Sequence, residues 1–275
     1  MLLRIPLVVL AVIAAILLVG WLGFRVKPTA VATILLGEAF PALPVPTTLS
    51  GPLARYARAL YGDTLPKVET AIVAGRATMT VNGLTMPSRF IFYYDADPIS
   101  HYHDIQVTWF NLPIMRIHER LREGHARLDM AIIGQVENSP KVDHASLQGF
   151  YAETLAWLPA IALSDGAIRW ETVDDHTARA FLPGADDAES FTLRFDPVTG
   201  LLTEVEALRY RDANSPERSR WICRALAWGD LNGTPTMLQS EIQWDADAPW
   251  VQWELEQVAV NVPVEARLNQ FGGDV

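Results

Sequence analysis

The chain has 275 residues, 50% hydrophobic and 20% charged, enough to enclose one sizeable core and far from the composition of a disordered chain. Lys and Arg number 22 against 32 Asp and Glu; this formal charge of −10, with no basic stripe to offset it, excludes nucleic acid as a partner. The single cysteine, Cys223, rules out an intramolecular disulfide and a thiolate zinc cluster.

Ile5 to Phe24 reads IPLVVLAVIAAILLVGWLGF, 20 residues without a charge. At a helical rise of about 1.5 Å this run matches a hydrocarbon core of about 30 Å, and it predicts one transmembrane helix with the lipid bilayer as partner through residues 5–24. A cleaved signal peptide has an apolar region of about 7–15 residues and a small, neutral cleavage region. Here Arg25 and Lys27 follow the run directly, and AVA at 30–32 is a poor cut site. Residues 1–27 are therefore read as an uncleaved anchor with its flanks. Arg4 and the free amine balance Arg25 and Lys27 across the span, so the positive-inside count is near a draw. The short leading tail favours the amino terminus inside, which predicts a single-pass inner-membrane protein with its domain on the extracytoplasmic side.

Residues 28–51 are read as a proline-rich linker, with prolines at 41, 44 and 46 favouring an extended spacer that holds the domain clear of the bilayer. Residues 52–275 are read as a single lidded β domain. It opens with PLARYARALYG, in which Leu53, Tyr56, Ala57, Leu60 and Tyr61 share one helical face, opposite Arg55 and Arg58, with Gly62 as a stop. This predicts a short amphipathic helix packed on the domain.

Beyond Gly62 the period becomes two. Phe90, Phe92 and Tyr94 alternate in SRFIFYYDADP, Phe191, Leu193 and Phe195 in ESFTLRFDP, and Val251, Trp253 and Leu255 in VQWELEQ. Further strands are predicted at 69–81, 103–110, 113–120, 125–133, 166–174, 177–182, 200–210, 219–229 and 236–245. Turn chemistry such as Asn232-Gly233 separates neighbours, and no strand–helix–strand rhythm is visible. The fold class is mainly β: a large curved antiparallel sheet or half-barrel of about eleven strands, too wide to stay flat, with a helical lid over its concave face. In the last strand the apolar parity switches from odd in VQWELEQ to even at Val258 and Val260, which predicts a bulge near Gln257.

The lid is LQGFYAETLAWLPAIAL, residues 147–163, capped at Asp143 or Ser146 and ended near Pro159. Phe150, Tyr151, Leu155, Trp157 and Leu158 cover the sheet, while Glu153 stands among them without a cation in helical reach. The desolvation cost of an unpaired carboxylate predicts an arginine partner from the sheet, Arg169, Arg209 or Arg211, so Glu153 is read as a strut before a ligand anchor.

The sequence carries no glycine-rich phosphate loop, no His-Glu-x-x-His and no Gly-x-Ser-x-Gly, so no catalytic residue and no cofactor is assigned and the reading leans away from an enzyme. In HYHD, His101 and His103 share a strand face with Asp104 turned away. A third ligand would have to come from His118 or His125; the histidines are read as a surface pair, and no metal is assigned. Asp174-Asp175 and Asp186-Asp187 are read as turns.

The run from Gly134 to Asp212, with FYAETLAWLPAIAL, AIRWETVDDHTARAFL and FTLRFDPVTGLLTEVEALRYRD, resembles the bacterial family catalogued as domain of unknown function 6544, more loosely over Leu53 to Val262. Glu153, Trp157-Leu158-Pro159, Trp170 and Arg209-Tyr210 fit its pattern. The family has no established activity, so the resemblance implies no catalytic residues. The expected architecture is also similar to the lipoprotein-carrier fold of the bacterial envelope, which implies an apolar cavity for acyl chains. The sequence-based expectation is a membrane-tethered noncatalytic binding or carrier module for a lipid or other apolar small molecule, with Phe150, Tyr151, Glu153, Trp157 and Leu158 at the ligand. The alternative is a structural or protein-interaction envelope protein with a filled core.

Overall fold

A computed structural model describes residues 4–31, 33, 34, 37, 41–130 and 135–269. The predicted anchor's residues 1–3, linker residues 32, 35, 36 and 38–40, strand residues 131–133, and residues 134 and 270–275 lie outside the described residues. Helix α1 (Arg4–Gly23) covers the charge-free run. Among the described residues, however, no helix is long and apolar enough to cross a membrane, so the fold does not bear out the predicted span. The described side chains of α1 begin only at Leu7, inside the apolar run.

A two-stranded ribbon of β1 (Ala42–Pro44) and β2 (Thr64–Pro66) brackets α2 (Gly51–Tyr61), the predicted amphipathic helix. Leu53, Tyr56 and Ala57 are fully buried on its inner face. The described parts of the linker rest on the domain: Thr29 N–H donates to Asn111 Oδ1 (2.9 Å), and Arg76 donates to the Pro28 carbonyl (3.2 Å).

The sheet has two arms. The first arm runs β3 (Thr70–Val81), β4 (Leu84–Ala96), β5 (Ile99–Trp109), β6 (Leu112–Arg122), β7 (His125–Met130) and β8 (Gln135–Glu137). Helices α3 (Pro140–Trp157) and α4 (Pro159–Ser164) then carry the chain across to β9 (Arg169–Asp174), the opposite edge. The return arm is β10 (Thr177–Phe181), β11 (Phe191–Phe195), β12 (Leu202–Arg209), β13 (Ser219–Leu231), β14 (Thr234–Trp244) and β15 (Val251–Val260). Short α5 (Glu265–Leu268) follows it. Because β15 pairs with β3, the arms join into one 13-stranded antiparallel sheet with β8 and β9 as unjoined edges. The expected half-barrel class holds, with two strands more than the approximate eleven.

Turn chemistry fixes the register. At Asn82-Gly83, Glu123-Gly124 and Asn232-Gly233 both turn residues take positive φ, the conformation of tight two-residue hairpins whose twist matches that of the strands. The predicted bulge is present: Leu255 pairs with Gly75 and Gln257 with Ala74, leaving Glu256 as the extra residue. Arg76 Nε donates to Glu256 Oε1 at 2.7 Å. A Cβ on Gly75 would meet the Glu254 carbonyl at 2.1 Å, so the kinked strand needs glycine opposite it.

One helix, α3, touches β6 and β7 on one arm and β12 and β14 on the other, so the sheet curls around it. The main core lies on this concave side. A smaller cluster of Tyr93, Tyr102, Val262 and Val264 seals the other face beneath α5. Helix α3 starts earlier than predicted: Ser139, not Asp143 or Ser146, accepts from Val142 N–H as the cap, and Pro140 fills the first turn. Pro159 ends α3 as expected, then opens α4, which the sequence reading had merged into the lid's tail.

Candidate functional site

Helix α3 is buried almost all round, between the sheet and the α2–α4 side. On the face turned to the sheet stand Gly149, Ala152, Glu153, Ala156 and Trp157, a helical repeat in which three of five side chains are small. The sheet cannot close on so slight a face, and a cavity of about 530 Å³ remains. Its wall is chiefly apolar: Met79, Met86, Phe92, Ile105, Met115, Ile117, Leu128, Trp221, Ile242, Trp250 and Trp253. Half-exposed Val81 also lines it. The volume falls within the roughly 300–1,000 Å³ of small-molecule sites. The alternative of a filled core therefore does not hold at this interface.

One end of the cavity is polar. His101 and His103, two apart on β5, point to the same face and are 0% and 3% exposed, so they are not the surface pair expected from the sequence. Their rings stack at 4.1 Å and 10°, and Phe92 stacks on the far side of His103 at 3.8 Å. Antiparallel register places Glu119 of β6 directly opposite His103. Glu119 Oε1 lies 3.5 Å from His101 Nε2, and its Oε2 lies 3.8 Å from His103 Nδ1. Ser146 of α3 donates to Glu119 Oε1 (2.7 Å) and sits 3.0 Å from His101 Nε2.

Glu153 faces this cluster from the lid. Tyr94 donates its hydroxyl to Glu153 Oε2 at 2.8 Å, and His103 Nε2 approaches the same oxygen to 3.2 Å. The latter contact is an ion contact whose ring N–H is not aligned for a hydrogen bond. The expected arginine partner is thus replaced by a histidine and a tyrosine. Arg169 reaches Asp187, Arg211 reaches Asp245 and Asp247, and Arg209 donates to the Ala145 carbonyl (2.6 Å) while lying over the Trp221 ring. Arg209 nevertheless lines the same cavity as Glu153, and burial lowers its pKa against the opposing pull of Glu119 and Glu153.

The charges sort by environment. Burial works against a charged His103, but Glu153 and Glu119 overcome it and hold the imidazole up to about 9. Burial also works against ionised Glu119, yet its contacts with His101 and His103 keep it well below the usual carboxylate range. Burial and the neighbouring charge of His103 push His101 down, towards the neutral ring. Burial pushes the Cys223 thiol on the cavity wall up to about 12.

Of the residues expected at a ligand, Glu153 and Trp157 line the cavity, whereas Phe150 and Tyr151, on other faces of α3, and Leu158, the cap between α3 and α4, are at most 2% exposed and do not line it. Phe150 packs near Tyr94 and His101, and Tyr151 donates to Asp165 Oδ2 at 3.0 Å. His118 pairs with Asp104 on the opposite face of β5 and β6, and His125 lies on the surface beside Asp143, so neither joins His101 and His103. Sequence reasoning missed Glu119. Its signal was the register of β5 against β6, which the Phe110-Asn111 turn alone would set with His118 opposite His103; the irregularity between Val107 and Thr108 shifts it by one residue and brings Glu119 there instead.

The model of a family of unknown function, DUF6544, matches residues 44–255. No curated protein matches the chain. Among solved structures, a DUF1329 family protein from Desulfovibrio piger is 11% identical and superposes with a TM-score of 0.49, covering 84% of this chain and 99% of that one. A LolA superfamily protein from Nitrosomonas europaea is 11% identical with a TM-score of 0.42, covering 82% of this chain and 97% of that one. The lipoprotein LppX of Mycobacterium tuberculosis is 11% identical with a TM-score of 0.26, covering 78% and 94%. All three likenesses fall below a TM-score of 0.5.

Proposed function

We propose that this chain, which belongs to the DUF6544 family of unknown function, is a noncatalytic binding or carrier module for a lipid or another apolar ligand held beneath α3. The observation that carries the reading is the cavity of about 530 Å³ left by Gly149, Ala152 and Ala156 against aromatic and aliphatic walls. Protein interiors pack to crystal density, and a void of this size forfeits the dispersion contacts of its lining. An apolar guest restores those contacts; water, with few polar partners along most of the wall, does not. Glu153 and Trp157 are the predicted ligand residues that the reading retains at the guest.

Attachment to the bilayer of the bacterial inner membrane through residues 5–24, with the domain on the extracytoplasmic side, is the second part of the proposal. It is supported by the charge-free run and by the apolar side chains that α1 exposes, among them Leu10 (64%) and Leu17 (68%). A detergent-solubilised chain with its first thirty residues intact by mass is the expected product.

Substituting the lid tests the binding reading. Ala152→Trp and Ala156→Trp each place an indole in the cavity, and we expect loss of binding of a fluorescent fatty-acid probe without loss of the folded state. Copurifying lipids, identified by mass spectrometry, should disappear with it. A wild-type chain that carries no lipid and binds no probe would remove the carrier reading.

A further inference from the structure

The two stacked histidines and the carboxylate opposite them do more than line a lipid pocket. We infer that His101, His103 and Glu119 form a binding site for a divalent transition-metal ion, with an open coordination position facing the cavity. This inference does not depend on the carrier reading.

The argument is geometric. Ligand atoms of these residues lie within 4.8 Å of one another. Around an ion with metal–ligand distances of about 2.0–2.2 Å, neighbouring tetrahedral donors stand about 3.3–3.6 Å apart. His101 Nε2 and Glu119 Oε1 are 3.5 Å apart, within that range, and His103 Nδ1 and Glu119 Oε2 are 3.8 Å apart, just beyond it, so the ligands have to draw together around the ion. Both imidazoles come from one face of one strand and stack with ring centroids 4.1 Å apart and 10° between their planes, so one ring has to tilt for both to point at a single ion. Two imidazoles and one carboxylate are the donor set for borderline first-row ions such as zinc or ferrous iron, rather than for magnesium or calcium.

The surroundings match what metal-ligating residues require. Glu153 lies 3.2 Å from His103 Nε2 and is itself held by Tyr94, which leaves Nδ1 as the nitrogen turned to Glu119. A carboxylate behind a ligating imidazole raises its basicity, here through its charge, since the ring N–H is not aligned for a hydrogen bond. Ser146 steadies Glu119 with a hydrogen bond. Glu119 and His103 line the cavity, so a ligand or water can reach the ion from that side. Three protein ligands with one open position is the arrangement of a reactive metal centre rather than a closed structural one.

Titration of the untagged full-length chain in detergent, stripped of metal, with cobalt(II) and zinc(II) tests the assignment. We expect one saturable equivalent, with cobalt giving the visible d–d bands of a low-coordinate nitrogen and oxygen site, displaced by zinc. Glu119→Gln should weaken binding at least about tenfold, and Glu153→Gln should weaken it less. Ala152→Trp, which fills the cavity but keeps all three ligands, should still take up one equivalent, so the metal and carrier readings fail separately. Lack of saturable binding by wild type overturns the site without recourse to any variant. Binding that is unchanged in a folded Glu119→Gln chain overturns it too, placing the ion elsewhere, such as at exposed His125.

Discussion

Glu153 shows how one misplaced residue can be explained at its own scale. A carboxylate on an apolar helix has to meet a cation or donors when the helix docks, and the structure supplies His103 and Tyr94 in place of the expected arginine. Removing the carboxylate leaves His103 with Glu119 as its nearest counter-charge and leaves the Tyr94 hydroxyl without an acceptor. Glu153→Ala should therefore cost about 3 kcal/mol, the low end for breaking a buried pair. Glu153→Gln keeps an acceptor for Tyr94 and should cost less. Chemical denaturation of the two variants checks the order, and equal stabilities would deny Glu153 a structural role. Cys223 supplies a second residue-scale expectation. With burial pushing its thiol up to about 12, the folded chain should resist alkylation at pH 8, while the unfolded chain reacts as an ordinary thiol does. Mass spectrometry of alkylated native protein measures this directly.

At the scale of elements, strands were legible wherever apolar residues alternated, and the parity break in β15 was legible as a bulge because only an extra residue lets Val251 to Leu255 and Val258 face the same core. That bulge leans on Gly75. Gly75→Ala would press a methyl into the Glu254 carbonyl and should cost about 2–3 kcal/mol, read as a lowered melting temperature. The first turns of α3 were hidden, since Lys141, Asp143 and His144 interrupt the apolar repeat and Ser139 with Pro140 stands where a linker could equally lie. The site was half legible. His101 and His103 announce a shared face by their spacing, and Glu153 announces a buried partner. Glu119, in the charged run HERLRE, reads as solvated until the β5–β6 register sets it opposite His103. The stripe of Gly149, Ala152 and Ala156 was present in the sequence too, but small residues show a void only when the opposing wall is known.

For the whole molecule, the decisive feature is that α3 and α4 link one free edge of the sheet to the other, so the same segment closes the concave face and joins the arms. Helix α1 stands outside this arrangement. It meets the domain where the Trp109 indole N–H donates to the Gly20 carbonyl at 3.0 Å and Phe110 N–H donates to the Gly23 carbonyl at 2.9 Å. Lys27 adds an exposed ion pair with Glu254, of a kind worth about 0–1 kcal/mol. A fragment of residues 41–275 should accordingly keep the fold, melting only a few degrees below the full chain at about 2–4 °C per kcal/mol lost, and should bind the same fatty-acid probe. The exposed apolar surface of α1 goes with the segment removed. In sedimentation with phospholipid vesicles we therefore expect the full chain in the pellet and the fragment in the supernatant. A full chain that stays in the supernatant would dismiss the bilayer attachment while leaving the cavity reading intact. A fragment that fails to fold would instead show that α1 and the linker belong to the domain, making the apolar helix a structural element rather than a tether.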